Sequence, residues 1–413
     1  MAIKIKQIPK DLDFKGKKVL VRVDLNVPII KDNKGNFLVG DDTKIKYALK
    51  TIAYLSNANA RVVLCTHLGQ PAGKKTENFS LKPVAEVLKH LLPTSVPEFE
   101  FVTGWDFKLL QAKVNSLSEG GIILLENLRF NSGEEINDLN FSKDLASLGD
   151  IYINEAFAVS HRQHASLVGV TKYLPSYAGW HLIEEVEILD QVRSKPKSPF
   201  VVVVGGLKVH DKIGMLSFLS GKANVALIGG AAGNTLLKLN GQAIGKSPID
   251  PKAPTATLRR FLKIKKRWPK IGLQSLIQLP IDVVVAKNIN ATPRLVDFST
   301  GDKVKPNECI YDIGPKTVQL FSSYIKKAET IVWNGPMGVI EKPQFSQGSR
   351  SLGWLIAARS SGRAFGVVGG GETLSVLDVI QMFEYVDYCA SGGGAMLAFL
   401  SGIELPGLRS IIE

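Results

Sequence analysis

The sequence has little cysteine: Cys65, Cys309 and Cys389 are three in 413 residues, odd in number and far apart. That excludes a disulfide framework and gives no support for a zinc site. Cys65 and Cys389 read instead as small apolar residues on strands. No apolar run reaches the length of a membrane helix, so no membrane partner is expected. The first residues, MAIKIKQIPKDLDFKGKK, lack the apolar core of a signal peptide, and a cytoplasmic location is expected. A Walker A loop is missing as well. The nearest string, NGQAIGKS at 240–247, has Asn where the first glycine belongs, and it follows a helical stretch rather than a strand. There is no GxGxxG fingerprint. His161 and His164 have no third partner that would complete a metal site, and no Ser-His-Asp or Cys-His order stands out.

What is present is a long globular chain with 45% apolar and 22% charged residues, enough for two domains rather than one core. The formal charge is +13. Much of the excess sits in 252–270, where Lys252, Arg259, Arg260, Lys263, Lys265, Lys266, Arg267 and Lys270 occur without a single acid. With no aromatic interleaving beyond Phe261 and Trp268, this reads as a solvated helix face, and nucleic acid is not an expected partner.

One pattern repeats along the first half: an apolar strand ends abruptly in polar residues, and a helical stretch follows. Residues 18–23 lead into Asp24, Asn26 and Pro28; 61–65 into His67, Gly69, Gln70 and Pro71; 122–125 into Glu126, Asn127 and Arg129; 151–153 into Asn154, Glu155, His161, Arg162 and His164. Near-continuous apolar strands are covered on both faces and hence parallel. In such sheets ligands bind beyond the carboxyl ends of the strands, where these polar residues collect. If those ends share one edge, Arg129, Arg162, His67 and His161 converge, and arginine suits bidentate capture of carboxylate or phosphate. Helices are legible at 43–58, from Ile45, Ala48, Leu49, Ile52 and Leu55, and at 80–92, with a serine cap and Pro83 in the first turn. An acidic amphipathic helix at 183–192 precedes KPKSP at 195–199, whose two prolines place the domain junction there.

The second half repeats the theme with more glycine. Residues 200–204 run into Gly205, Gly206, Lys208, Asp211 and Lys212; 225–228 into Gly229, Gly230 and a helix from about 234; 281–286 form another strand; 330–333 run into Asn334, Gly335 and Pro336. FGVVGGGETLSVLDVI at 365–380 is the centre of this half: a strand, three glycines, an acid and a threonine, then a helix. Glycines there let the backbone approach a ligand closely, and free N–H groups at the helix start favour an anion. A carboxylate such as Glu372 beside a phosphate site faces a metal ion, because bare carboxylate and phosphate repel. Lys208 and Lys212, four apart near a helix start, could meet the same anion.

VRVDLNVP at 21–28, HLG at 67–69, ENLRF at 126–130, HRQH at 161–164, GGLKV at 205–209 with DKI at 211–213, DIGPKT at 312–317, WNGP at 333–336 and GGG at 369–371 resemble the phosphoglycerate kinase family, in that family's order and over nearly the whole chain. The resemblance implies an α/β protein of two Rossmann-like, three-layer parallel-sheet domains joined by a hinge helix. Residues 1–180 would bind 3-phosphoglycerate, with the tail 401–413 packing back on them; 181–199 would be the hinge helix and linker; 200–400 would bind ATP or ADP with Mg²⁺. It implies contacts from Asp24, Asn26, Lys44, His67, Gly69, Gln70, Arg129 and Arg162 to the phosphoglycerate. It implies nucleotide contacts from Gly206, Lys212, Gly230, Ile310, Asn334, Glu341, Gly370, Gly371, Glu372 and Thr373, with Glu372 also at the metal. Lys44, Lys208 and Arg162 would act on the transferring phosphoryl group in a monomeric enzyme. The residue inventory suits that chemistry: a carboxylate nucleophile is already ionised at neutral pH, so no general base is needed.

Four positions depart from the family pattern. Lys44 and Gln70 stand where it has arginines, Glu372 where it has an aspartate, and Ile310 where it has a glycine. Lysine keeps the charge but loses the planar fork, and one extra methylene displaces the carboxylate at a metal intolerant of poor geometry. A catalytically weakened relative with a binding role is the alternative reading.

Overall fold

The computed structural model describes residues 3–268, 272–390 and 392–413. The chain divides into two compact units, Met1–Ile188 with Glu404–Glu413, and Leu189–Ile403. The division falls inside the helix Trp180–Ser194, upstream of the 195–199 proline stretch.

Each unit is built on a six-stranded parallel sheet. In the first the order from edge to edge is Phe99–Val102, Ile122–Leu125, Arg61–Cys65, Lys18–Arg22, Ile151–Asn154, Ser176–Ala178. Alternate side chains serve opposite faces. Val19, Val21, Val62, Leu64, Ile122 and Leu124 meet Ile45, Ile52 and Leu55 of helix Thr43–Asn57 and Val84 and Leu88 of helix Lys82–Leu91. On the other face Leu20, Val63, Cys65, Ile123 and Tyr152 meet Leu110 and Val114 of helix Phe107–Ser116 and Leu145 of helix Leu139–Ala146. Both faces are dry, which is why these strands are apolar throughout. Residues 404–413 belong here too: the Asn154 amide donates to Gly407 O at 2.9 Å, and Ile412 bridges Ile5.

In the second unit the order is Ile277–Gln278, Val225–Ile228, Phe200–Val204, Thr330–Asn334, Phe365–Gly369, Tyr388–Ala390. Val201, Val203, Ile331, Trp333 and Val368 pack against Phe321, Leu352, Ile356 and Leu377.

Two local expectations are corrected. The strand Asp282–Ala286 is not in the parallel sheet; it pairs antiparallel with Arg294–Asp297 and Cys309–Ile313. The link from 286 to 294 is too short for the crossover that parallel pairing needs. The second helix begins at Lys82 with Leu81, not Ser80, at the N-cap position, although the Ser80 hydroxyl still accepts from Lys82 N at 3.3 Å. The same hydroxyl donates to Glu126 Oε2 at 2.9 Å.

The start of helix Trp180–Ser194 is held by a side chain from another strand end. Buried Glu155 accepts from His181 N at 3.1 Å and Leu182 N at 3.5 Å, and from Thr51 Oγ1 at 2.7 Å. Removing this carboxylate leaves two helix N–H groups without acceptors and takes from the Thr51 hydroxyl the acceptor of its proton, while its oxygen still accepts from Trp180 N at 3.1 Å. Glu155→Ala is expected to lower stability by about 2 kcal/mol, read from the denaturant midpoint at unchanged slope.

Candidate functional site

In the first unit the sheet reverses its winding between Lys18–Arg22 and Ile151–Asn154. The loops leaving the central strands meet there. Asp24 and Asn26 follow the first strand, His67 and Gly69 the second, and Arg129 lies in the turn after Ile122–Leu125. Hydrogen bonds tie them together: Gly69 N donates to Asn26 Oδ1 at 2.9 Å, and Arg129 Nη1 donates to Gly69 O at 2.7 Å. Arg129 also pairs with Glu135, Nε to Oε1 at 3.2 Å. Asn127 braces the loop by donating to Leu68 O at 2.7 Å and Phe79 O at 2.9 Å.

Lys44, from the first turn of helix Thr43–Asn57, reaches Asp24 Oδ2 at 2.7 Å. Burial, the largest influence, would raise the Asp24 carboxyl; the Lys44 ammonium, with smaller contributions from its other neighbours including the Asn26 N–H, brings the group down to about 2. Burial, with the Arg22 guanidinium added, pushes His67 well below the ordinary imidazole range. The pocket is therefore cationic around a neutral histidine. Arg162 and Gln70 are exposed beside it. Burial and then Arg162 hold His161 down to about 4.

In the second unit the winding reverses between Phe200–Val204 and Thr330–Asn334. A cleft of ≈ 700 Å³ opens there, and Gly206, Lys208, Lys212, Asn334, Gly370, Gly371, Glu372 and Thr373 all line it. The three strand ends are fused through backbone. A Cβ on Gly205 would lie 2.0 Å from Pro336 O, so only glycine allows the approach. Gly206 and Gly370 have φ of +74° and +99°, a region open to glycine. Asn334 Nδ2 donates to Gly369 O at 2.7 Å, and Gly335 N to Thr373 Oγ1 at 2.7 Å. Helices Gly371–Val379 and Gly393–Leu400 both begin at this cleft, with glycines at their first turns. Their free N–H groups favour an anion. Lys212 is largely buried; burial lowers its ammonium, opposed by Asp211, Glu372 and Asp250.

Gly230, Ile310 and Glu341 are not among the lining residues. Gly230 lies just behind Gly206, where a Cβ would sit 2.8 Å from Gly206 N, and its own N–H donates to Met337 O at 3.0 Å. Ile310 is in a small apolar core with Leu237, Ile244 and Val285. Glu341 is exposed on the loop that Val339 ties to Tyr311, N to O at 2.9 Å.

Sequence reasoning missed three buried residues under the first pocket: Arg22, Glu134 and Ser166. For Arg22 a signal existed, a charge directly after the apolar run 19–21 and before Val23. For the other two there was none. His210 was missed as well; it lines the cleft with Nδ1 at 2.6 Å from Asp250 Oδ2. The basic stretch forms helix Thr255–Lys263 and strand Lys265–Trp268, with Leu258, Phe261 and Trp268 turned inward and Arg259, Arg260, Lys263, Lys265 and Arg267 exposed. None of them lines the cleft, and Lys270 lies outside the described residues. Among the described residues no helix is long and apolar enough to cross a membrane.

Two parallel sheets, each with an anion-receptive site at its switch point, define the class as an α/β phosphotransferase. Across residues 9–403 the chain matches the family model for phosphoglycerate kinase. It is 38% identical over 410 residues to the phosphoglycerate kinase of Chloroflexus aggregans, covering 98% of each chain. It is 41% identical over 402 residues to that of Thermosipho africanus, 97% of this chain and 96% of that one. The solved phosphoglycerate kinase of Coxiella burnetii has a TM-score of 0.80 at 36% identity, covering 98% of both chains; that of Pyrococcus horikoshii OT3 has 0.79 at 29%, with the same coverage. The chain belongs to the phosphoglycerate kinase family and is an enzyme of that kind.

The Asp24–Lys44 pair gives a test of the pocket's electrostatics. With a folded value of about 2 against an ordinary 3.8, Asp24 contributes stability that is present above the ordinary value and lost as pH falls through about 2. In Lys44→Met burial is no longer opposed by the nearest cation. The Asp24 carboxyl is expected to titrate about one unit or more higher in a ¹³C NMR titration.

Proposed function

We propose that the enzyme moves the γ-phosphoryl of ATP reversibly to the carboxylate of 3-phosphoglycerate, forming 1,3-bisphosphoglycerate, as a step of glycolysis or its reversal. The observation that carries this is the pairing of a cationic pocket around Asp24, His67 and Arg129 with a glycine-walled cleft holding Lys208, Lys212 and Glu372. In the first, His67, Arg129, Arg162, Gln70 and Lys44 hold the phosphoglycerate anion, with Asp24, Asn26 and Gly69 shaping the pocket. In the second, Gly206, Asn334, Gly370, Gly371 and Thr373 cradle the nucleotide phosphates and Lys212 neutralises them. The ribose and base extend past Gly230 toward Glu341 and Ile310, along the backbone path through Met337 and Val339.

The substrate carboxylate needs no base. Catalysis is positioning and charge neutralisation by Lys44, Lys208 and Arg162. The acceptor oxygen and phosphorus must come within about 3–3.5 Å, so the unit bearing each half-site moves toward the other about the helix Trp180–Ser194 during turnover, excluding water. Mg²⁺ fits the donor set at the cleft: Glu372 lines it and, among the described residues, is in no ion pair. One carboxylate is enough where substrate phosphates complete the shell. Bound there, the metal would neutralise charge developing on the phosphates.

A coupled assay with ATP and 3-phosphoglycerate tests the reading, and turnover that requires magnesium is expected. No turnover in either direction would sink it. Glu372→Ala is expected to lower kcat/KM for the nucleotide about 100-fold, with KM for 3-phosphoglycerate little changed. An equal loss for both substrates would place Glu372 elsewhere.

A further inference from the structure

A buried polar chain runs beneath the first pocket. Glu134, fully buried, accepts from Ser166 twice: from the hydroxyl at 2.6 Å and from the backbone N–H at 3.0 Å. The Ser166 hydroxyl in turn accepts from Arg22 Nε at 2.8 Å. Arg22, 1% exposed, donates from Nη1 to Val23 O at 2.5 Å, and its Nη2 lies 3.2 Å from His67 Nδ1. A guanidinium has donors only. His67 Nδ1 must therefore offer its lone pair, and the proton of the neutral ring is on Nε2.

Each link has a physical reason. Arg22 is the one buried charge within its strand, and a buried cation needs a counter-charge. Glu134 supplies it through one hydroxyl, while the three tethers of Arg22 leave its planar fork one orientation. The groups facing His67 are Arg22 and Asp24 at the end of the first strand, Arg129 from the turn Leu128–Phe130, and Lys44 from helix Thr43–Asn57. Three cations against one carboxylate, in a buried site, disfavour a second proton on the ring.

We propose that Arg22, Ser166 and Glu134 are positioning residues that lock His67 as a neutral imidazole with its proton on Nε2. The pocket then presents an aimed, uncharged donor to an anionic ligand, and the ring adds no pH dependence of its own to the affinity across the ordinary imidazole range. The relay rests on the reading of this pocket as the 3-phosphoglycerate half-site for its ligand, but not for its tautomer.

The test combines ¹⁵N NMR of the His67 ring in the full-length enzyme with KM and kcat for 3-phosphoglycerate between pH 5.5 and 8. In the unaltered enzyme an acceptor-type Nδ1 signal is expected across the range, with a KM that follows only the second ionisation of the ligand's own phosphate, at about 6. Ser166→Ala should give a mixture of tautomers and a KM about 10-fold higher with kcat changed less, and Ser166→Thr should restore both. The double variant Arg22→Met/Glu134→Gln removes both buried charges at once, so no unpaired ion is left to unfold the protein. There the His67 ring should lose its acceptor-type Nδ1 signal and titrate higher than in the unaltered enzyme, with KM more dependent on pH. A locked ring in an enzyme that does not bind 3-phosphoglycerate would support the relay while refuting the substrate. A proton on Nδ1, a ring that titrates in the unaltered enzyme, or a double variant with unchanged ring signals and pH profile would overturn the relay.

Discussion

Covering a parallel sheet on both faces leaves one place for polar chemistry, the carboxyl ends of the strands. Everything functional in this chain follows from that restriction. Strands such as Arg61–Cys65 and Phe200–Val204 are buried along nearly their whole length, and the polar and glycine residues begin within a few positions of their ends. The sheet core thus acts as a rigid base plate, and the loops need only short reach. Both switch points use it, one with side-chain cations and one with bare backbone.

The two solutions suit different anions. The cleft of the second unit is made mostly of glycine and helix starts, which grip phosphate through N–H groups at no cost in side-chain entropy. It is built by contact: Gly205 against Pro336, Gly230 against Gly206, Gly393 against Gly370. The first pocket instead gathers Lys44, Arg129 and Arg162 around His67 and Asp24. Concentrating cations there is tolerable because the buried and half-buried ones have carboxylate partners: half-buried Lys44 has Asp24, Arg129 has Glu135, and Arg22 has Glu134 through Ser166.

The departures from the family pattern fall where the geometry can absorb them. Lys44 lacks the fork of an arginine, but a direct pair with Asp24 at 2.7 Å anchors its ammonium in the pocket. Ile310 adds bulk, and that bulk goes into the apolar core with Val283 and Val296. Glu372 stands at the wall of an open cleft, beside the backbone of Gly206, with room for a longer side chain.

Much of this was legible beforehand. Apolar runs that stop dead at Asp24, His67, Arg129, Gly206 and Gly370 mark both the strands and the ends where ligands go, because burial writes itself into composition. Pairing was not legible: the strand at 282–286 looks like its parallel neighbours, and only the short path to its partners makes it antiparallel. Nor could the second partner of Ser80 be read: its hydroxyl accepts from Lys82 N nearby but donates to Glu126, 46 positions away. The relay under His67 was hidden for the same reason, as Ser166 lies 144 positions from Arg22 and 32 from Glu134. Local sequence by itself determined which segments are strands, where their polar ends lie and which chemistry those ends can support, since each depends on a few adjacent residues. Tertiary structure alone decided which distant polar groups neutralise one another and which nitrogen of a histidine carries the proton, because electrostatics acts across space and takes no account of chain order.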